Sequence, residues 1–382
     1  MDIKLKFPEG FLWGSATSSY QVEGGIENCD WALEAKNGKV PFCGDACMHY
    51  SNYKDDFDIV ESLGHNAHRM SVEWARIEPT EGVFDEKEIA HYREVIQNLK
   101  SRNLYVSLTI WHFTLPVWFY EKGGFEAGNG ADVFTRYALK VIDSFSDIVD
   151  DFATINEPMV WTSNGYIHAN WPPFKRTIKK HVDILNTLAK AHNNIYKKAK
   201  EKNKDLVIGV VKDNIYFEGK NFLTKKIAKF LTWFWNDRFL DKVAGNVDYI
   251  GLNYYFHSPI LFKSNGDRTD MGWEIYPKGL YHMLMDLKKY NVPVTVAENG
   301  IADEGDTRRT EFIREHIRWV HKAIEDGVPV IGYSYWSLLD NYEWALGFKK
   351  RFGLVNVDYD TMERGIRNSA YAYKYICEHN GF

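Results

Sequence analysis

YVSLTIWH (residues 105–112) and FATINEP (152–158) bracket a stretch with helical spacing. Between them Phe134, Tyr137, Ala138, Val141, Phe145, Ile148, Val149 and Phe152 recur at the i, i+3, i+4 spacing of one helix face. The flanking runs are short, rich in β-branched and aromatic residues, and nearly unbroken by polar alternation. That is the pattern of parallel strands buried on both faces, which need a helical crossover between them. The unit therefore reads strand, helix, strand.

The same two signals repeat outward. Towards the N-terminus lie FLWGSATSS at 11 and AHRMSVEW at 67. Towards the C-terminus lie VIGVVKD at 207, YIGLNYY at 249, VTVAENG at 294 and IGYSYWS at 331. Further helical patterns occupy 87–102, 182–203, 278–290 and 309–326. No linker, low-complexity run or long charge block divides the chain. Eight strand–helix units predict an α/β fold, a single (β/α)8 TIM barrel spanning 1–382 as one catalytic domain. A doubly wound open sheet is the alternative, but no G-x-G-x-x-G follows the first strand run.

The 382 residues are enough to bury a large core. Aromatic content is 15%, with 13 Trp and 23 Tyr, so rings beyond those of the core are available to stack on an apolar sugar face. A net charge of −5 argues against nucleic acid as a partner. The opening MDIKLKFPEG lacks an apolar signal segment, and no run approaches the length of a membrane span. The expectation is a cytoplasmic protein with no membrane partner. Cys29, Cys43 and Cys47 lie near His49, but the C-x-x-C spacing of a zinc knuckle is absent, so free thiols are expected and no metal.

In such barrels the chemistry gathers at the C-terminal strand ends. Glu157 ends the fourth run and Glu298 the seventh, which we place on opposite sides of the ring, facing each other across its mouth. A Glu in such a place can also be a helix-terminus or ion-pair residue. Two of them at matching positions point instead to glycosidic-bond hydrolysis, which uses one carboxyl as proton donor and the other as nucleophile or base. Arg69, in the second run, supplies a cation for Glu298. Glu157 then keeps its proton beside the ionised Glu298. Asn156 can donate a hydrogen bond to a sugar 2-OH.

Four longer motifs carry a family resemblance. FPEGFLWGSATSSYQVEGG (7–25), TINEP (154–158), VTVAENG (294–300) and YWSLLDNYEWALGFKKRFGLVNVDY (335–359) resemble, in order, the signatures of the family 1 glycoside hydrolases, the β-glucosidase and β-galactosidase family. The resemblance implies a retaining double displacement with Glu157 as acid/base and Glu298 as nucleophile. It implies sugar contacts from Gln21, His112, Asn156, Glu343 and Trp344, a Trp336 platform under the sugar, and Trp273 at the entrance. It also implies that Tyr255 bonds the nucleophile, beside Arg69, with Asn253 at the same strand end. Gln21 offers donors and an acceptor for vicinal hydroxyls, and an ionised Glu343 can accept two hydroxyl protons while repelling a sugar phosphate.

Departures from the family pattern are equally legible. HFTLP at 112–116 puts Phe113 where the family has Trp, removing an N–H donor. Leu346 stands where an acidic residue is frequent. The chain is short for the family, which implies trimmed loops around the outer cleft. The expected function is a retaining β-glycosidase, a β-glucosidase first, acting on terminal unphosphorylated β-linked sugars of a small or oligosaccharide β-glycoside without a cofactor. A transglycosylase using the same site and an inactive carbohydrate-binding relative are the alternatives.

Overall fold

A computed structural model describes residues 5–382. Eight parallel strands close into a barrel in chain order: β1 Leu12–Ala16, β2 Ala67–Ser71, β3 Tyr105–Thr109, β4 Asp151–Asn156, β5 Ile208–Glu218, β6 Tyr249–Pro259, β7 Val294–Asn299 and β8 Val330–Trp336. Each overlaps one of the eight runs read from the sequence. Closure comes from β1 against β8, in register from Leu12 opposite Gly332 to Ala16 opposite Trp336. Parallel strands covered on both faces tolerate continuous apolar sequence, and β2 and β4 are buried at every position.

Helices fill the crossovers. Glu86–Ser101 starts where Asp85 accepts hydrogen bonds from the amides of Lys87 and Glu88, at 2.8 and 3.3 Å. Gly130–Phe145 buries Phe134, Tyr137, Ala138, Val141 and Phe145 against the barrel. The helical stripe was expected to continue to Phe152, but the helix stops at Phe145 and Phe152 belongs to β4. The apolar spacing runs on across the turn because both the helix end and the strand start are buried. Ile178–Lys202, Pro277–Leu287 and Arg309–Glu325 match the remaining helical patterns within a few residues.

The C-terminal helix Asn368–His379 packs across the barrel closure. Tyr373 Oη donates to the carbonyls of Gly14 in β1 and Tyr333 in β8, at 2.9 and 3.1 Å. Among the described residues no helix is long and apolar enough to cross a membrane.

Candidate active site

Glu157 sits between β4 and the short helix Pro158–Ser163. Its backbone is left-handed, φ 42° and ψ 62°, a conformation that costs a side-chain-bearing residue about 1–2 kcal/mol. Two bonds hold it there. Its amide donates to the carbonyl of Val211 on β5 (2.9 Å), and its carbonyl accepts from the amide of Trp161 (3.2 Å). Glu157 occupies the N-cap position, yet its carboxyl caps nothing. Instead Oε1 accepts from Asn253 Nδ2 at 2.8 Å. The strained turn thus aims the carboxyl at the barrel mouth rather than at the helix.

Glu298 on β7 stands opposite Asn253 in the β6–β7 ladder. Arg69 Nη1 donates to its Oε1, and Tyr255 Oη donates to Oε2 at 2.9 Å. Arg69 is itself fixed by Thr109 Oγ1 (3.1 Å) and Asn156 Oδ1 (2.7 Å). Asn253, Asn156 and Arg69 therefore link the two carboxyls in one buried network. β4 and β7 are separated by β5 and β6, so the carboxyls face each other across a chord of the ring rather than its full diameter.

Position 300, just beyond the end of β7, admits no side chain. A Cβ on Gly300 would stand 1.8 Å from the carbonyl oxygen of Trp336. Asn299 locks the same end, donating to Tyr254 O (2.7 Å) and accepting from Tyr333 Oη (2.9 Å).

The two glutamates have unlike surroundings. Burial, then the charge of Glu298 and that of Asp213, push the Glu157 carboxyl well above the usual range; the Asn253 bond opposes this only in part. Glu298 has a guanidinium and a phenol on its oxygens, donors that suit a carboxylate. Burial and the nearby Glu298 charge also raise the Tyr255 phenol, which keeps its proton.

Both carboxyls line one cavity of about 370 Å³. Of the residues picked out from sequence, Gln21, His112, Tyr255, Trp273, Trp336, Glu343 and Trp344 line it with them. Arg69, Asn156 and Asn253 stand behind the wall: Arg69 bonds Glu298, Asn253 bonds Glu157, and Asn156 holds both of them through its Oδ1. The His112 ring lies nearly parallel to Trp336 (centroids 6.0 Å, 16°) and to Trp344 (6.2 Å, 10°), giving a row of flat faces. Burial and then Arg69 hold His112 neutral. Its Nε2 faces Asn156 Nδ2 at 3.3 Å, which assigns the proton to Nδ1, a nitrogen with no protein partner.

Two expectations change. Gln21 was read as offering free donors, but its Nε2 already donates to Asn341 Oδ1 (3.0 Å) and Tyr342 O (2.8 Å), and Oε1 accepts from Ser18 at 2.6 Å. Only acceptor capacity remains. Glu343 was read as ionised, but burial and the charge of Glu298 raise its pKa to about 8, and Oε2 has no partner. At neutral pH it carries a proton and can donate.

The sequence reading passed over Lys212 and Asp213 in the middle of β5, both fully buried. Burial lowers Lys212 to about 8 and raises Asp213 to about 6. Asp213 pairs with Asn253 in the ladder, and its Oδ2 accepts from Trp235 Nε1 at 3.2 Å. A charged pair inside an apolar strand was the available signal. Also passed over were Asn164, Asn170, Trp171, Met271 and Phe352 of the cavity wall. Phe113 lines the cavity in a left-handed conformation (φ 79°) and packs on Trp171 and Trp344, each at 5.1 Å.

The cysteine group near His49 is dispersed. The Cys47 thiol donates to Asp340 O (3.0 Å), Cys43 to Tyr20 O (3.3 Å), and His49 Nδ1 pairs with Asp56 at 2.7 Å. No three-residue metal cluster occurs among the described residues.

The sequence profile of glycosyl hydrolase family 1 matches residues 3–244 and 257–382. A 1,4-beta-D-glucan glucohydrolase of Thermotoga neapolitana is 35% identical over 442 aligned positions, covering 98% of this chain and 99% of the relative. Beta-glucosidase A of Thermotoga maritima is 34% identical, covering 100% and 99%. The solved beta-glycosidase from Pyrococcus horikoshii superposes with a TM-score of 0.94 at 39% identity, covering 100% of this chain and 96% of that one. An alignment of 442 positions against a chain of 382 residues means that segments of the relative are missing here.

Proposed function

The chain belongs to glycosyl hydrolase family 1, and from that premise we propose a retaining β-glucosidase in which Glu157 is the acid/base and Glu298 the nucleophile. The observation that carries this is the pairing of two buried carboxyls on one cavity in opposite electrostatic settings. Glu157, its pKa raised, keeps a proton for the leaving oxygen. Glu298, held by Arg69 and Tyr255, attacks the anomeric carbon from the other side. Once Glu298 becomes an ester its charge is gone, and the main electrostatic term raising Glu157 disappears. Glu157 can then take a proton from the water that releases the sugar.

Recognition follows from the wall. Trp336 offers the flat face for the pyranose, and Nδ1–H of His112 and the protonated Glu343 offer donors to ring hydroxyls. Trp273, packed on Phe256 at 4.5 Å, flanks the outer part of the cavity. No Lys or Arg is among the residues lining the cavity, so a 6-phosphate would enter without a counter-charge. This supports an unphosphorylated terminal β-glycoside, glucoside first with galactoside as a secondary substrate, and a cytoplasmic setting suits the free thiols.

The test is steady-state kinetics on nitrophenyl β-glucoside, galactoside, fucoside, mannoside and 6-phosphoglucoside. We expect glucoside to give the highest kcat/KM and the phosphorylated sugar to fall at least a hundredfold below it. A preference for the phosphosugar would overturn the assignment.

A further inference from the structure

The helix Phe222–Thr232 and the turn that extends it, Trp233–Asp237, are built inside out. The residues the helix buries are small, Thr224 and Ala228. Ile227 and Leu231 are half-buried, but three other large apolar residues of the helix and the first of the turn face outward: Phe222 is 76% exposed, Leu223 62%, Phe230 59% and Trp233 45%. A helix stabilised only by its own barrel would do the reverse. An exposed apolar surface of this kind marks a contact.

The charge around it has one sign. Residues 219–236 contain Lys220, Lys225, Lys226 and Lys229 and no acid, within a chain whose net charge is −5. The two flanking acids are engaged, Glu218 beside His257 Nε2 at 3.1 Å and Asp237 with Lys289 at 2.7 Å. The cations lie along the rings, with Lys226 Nζ 4.4 Å above Phe222 and Arg238 5.8 Å from Trp233. Lys220 Nζ, 3.9 Å above Phe262, joins the helix start to the loop after β6. In that loop Leu261 is 82% exposed with its backbone left-handed at φ 58°.

We propose that this helix face and the neighbouring loop dock the protein on an anionic lipid bilayer. Aromatic and aliphatic side chains rimmed by lysine match a surface with acyl chains below and anionic headgroups above. A second copy fits worse, because a twofold contact through this patch would lay lysine against lysine. The sequence expectation of no membrane partner rested on the lack of a spanning segment, and interfacial docking needs none. The helix follows β5 and the loop follows β6, on the face where the cavity opens. The same loop continues to Met271 and Trp273 of the cavity wall. Docking therefore sets the cavity mouth beside the headgroups.

The experiment is co-sedimentation of the full chain with vesicles of phosphatidylcholine alone or mixed with phosphatidylglycerol, at low and high salt. We expect at least tenfold more protein to pellet with the anionic vesicles at low salt. Changing Phe222, Leu223, Phe230 and Trp233 together to Ser should abolish pelleting while leaving hydrolysis of a soluble nitrophenyl glucoside unchanged. A second variant, with Lys220, Lys225, Lys226 and Lys229 changed to Glu, should lose the preference for anionic vesicles and retain that activity. Failure of the parent to pellet with either vesicle would overturn the proposal. So would equal pelleting of both variants with the parent, or a concentration-dependent dimer that the Ser variant abolishes.

Discussion

Glu157 and Glu298 are the same residue type in unlike surroundings, and the difference is made by neighbours that never touch the sugar. Asp213 is one such neighbour: its charge adds to burial in raising Glu157. Asp213→Asn should let the Glu157 pKa fall, so the alkaline limb of kcat/KM moves to lower pH. Activity below that limb should stay within about threefold of the parent. A pH–rate profile with an unmoved or upward-shifted limb would remove Asp213 from the tuning. Glu157→Ala should slow substrates with poor leaving groups by orders of magnitude more than activated phenyl glycosides, since only the former need protonation. A leaving-group series measures this, and equal slowing would refute general acid catalysis. The carboxyls themselves were legible because each ends an apolar run. Asp213 and Lys212 were not, because a charge after VIGVV reads as the end of a strand entering solvent. Glu343 lines the cavity, but its protonation depends on burial and then on Glu298, a neighbour 45 residues away in sequence and absent from its local motif.

At the scale of elements, the strand ends decide where the chemistry sits. Gly300 allows the end of β7 to pass against the Trp336 carbonyl. A methyl group at 1.8 Å must push β7 and β8 apart. Gly300→Ala should cost about 2–3 kcal/mol of stability and most of the activity, as thermal unfolding and kcat/KM would report. A fully active, equally stable variant would contradict the described packing. All eight strands were readable because burial on both faces leaves little polar interruption. Helix ends were harder to read. Ile148, Val149 and Phe152 continue the period of Gly130–Phe145, since a half-buried turn packed on the core and a buried strand start keep the same apolar spacing. The face of Phe222–Thr232 was hidden for a related reason: an apolar stripe specifies that residues share a side, and only the packed barrel decides which side meets solvent.

For the molecule as a whole, the eight-stranded barrel is complete in a chain that is shorter than the Thermotoga neapolitana relative it aligns with. The sequence expectation is that the outer loops of the cleft are the shortened ones, leaving fewer subsites beyond the first sugar. The kcat/KM for β-1,4-linked glucose oligomers should therefore rise less than about threefold from the disaccharide to the tetrasaccharide. A steep rise would indicate an extended cleft built from residues outside the cavity described above. The trimmed length was apparent from the sequence. The Leu346 position was too, and it lines the cavity at 41% exposure. What ties residue, element and molecule together is the covalent step at Glu298. It is tested most directly by treating the enzyme with an activated 2-deoxy-2-fluoro-β-glucoside and mapping the labelled peptide by mass spectrometry. The predicted result is one added fluorosugar per chain, on Glu298. A label on Glu157 or Glu343, or inactivation without any adduct, would contradict it.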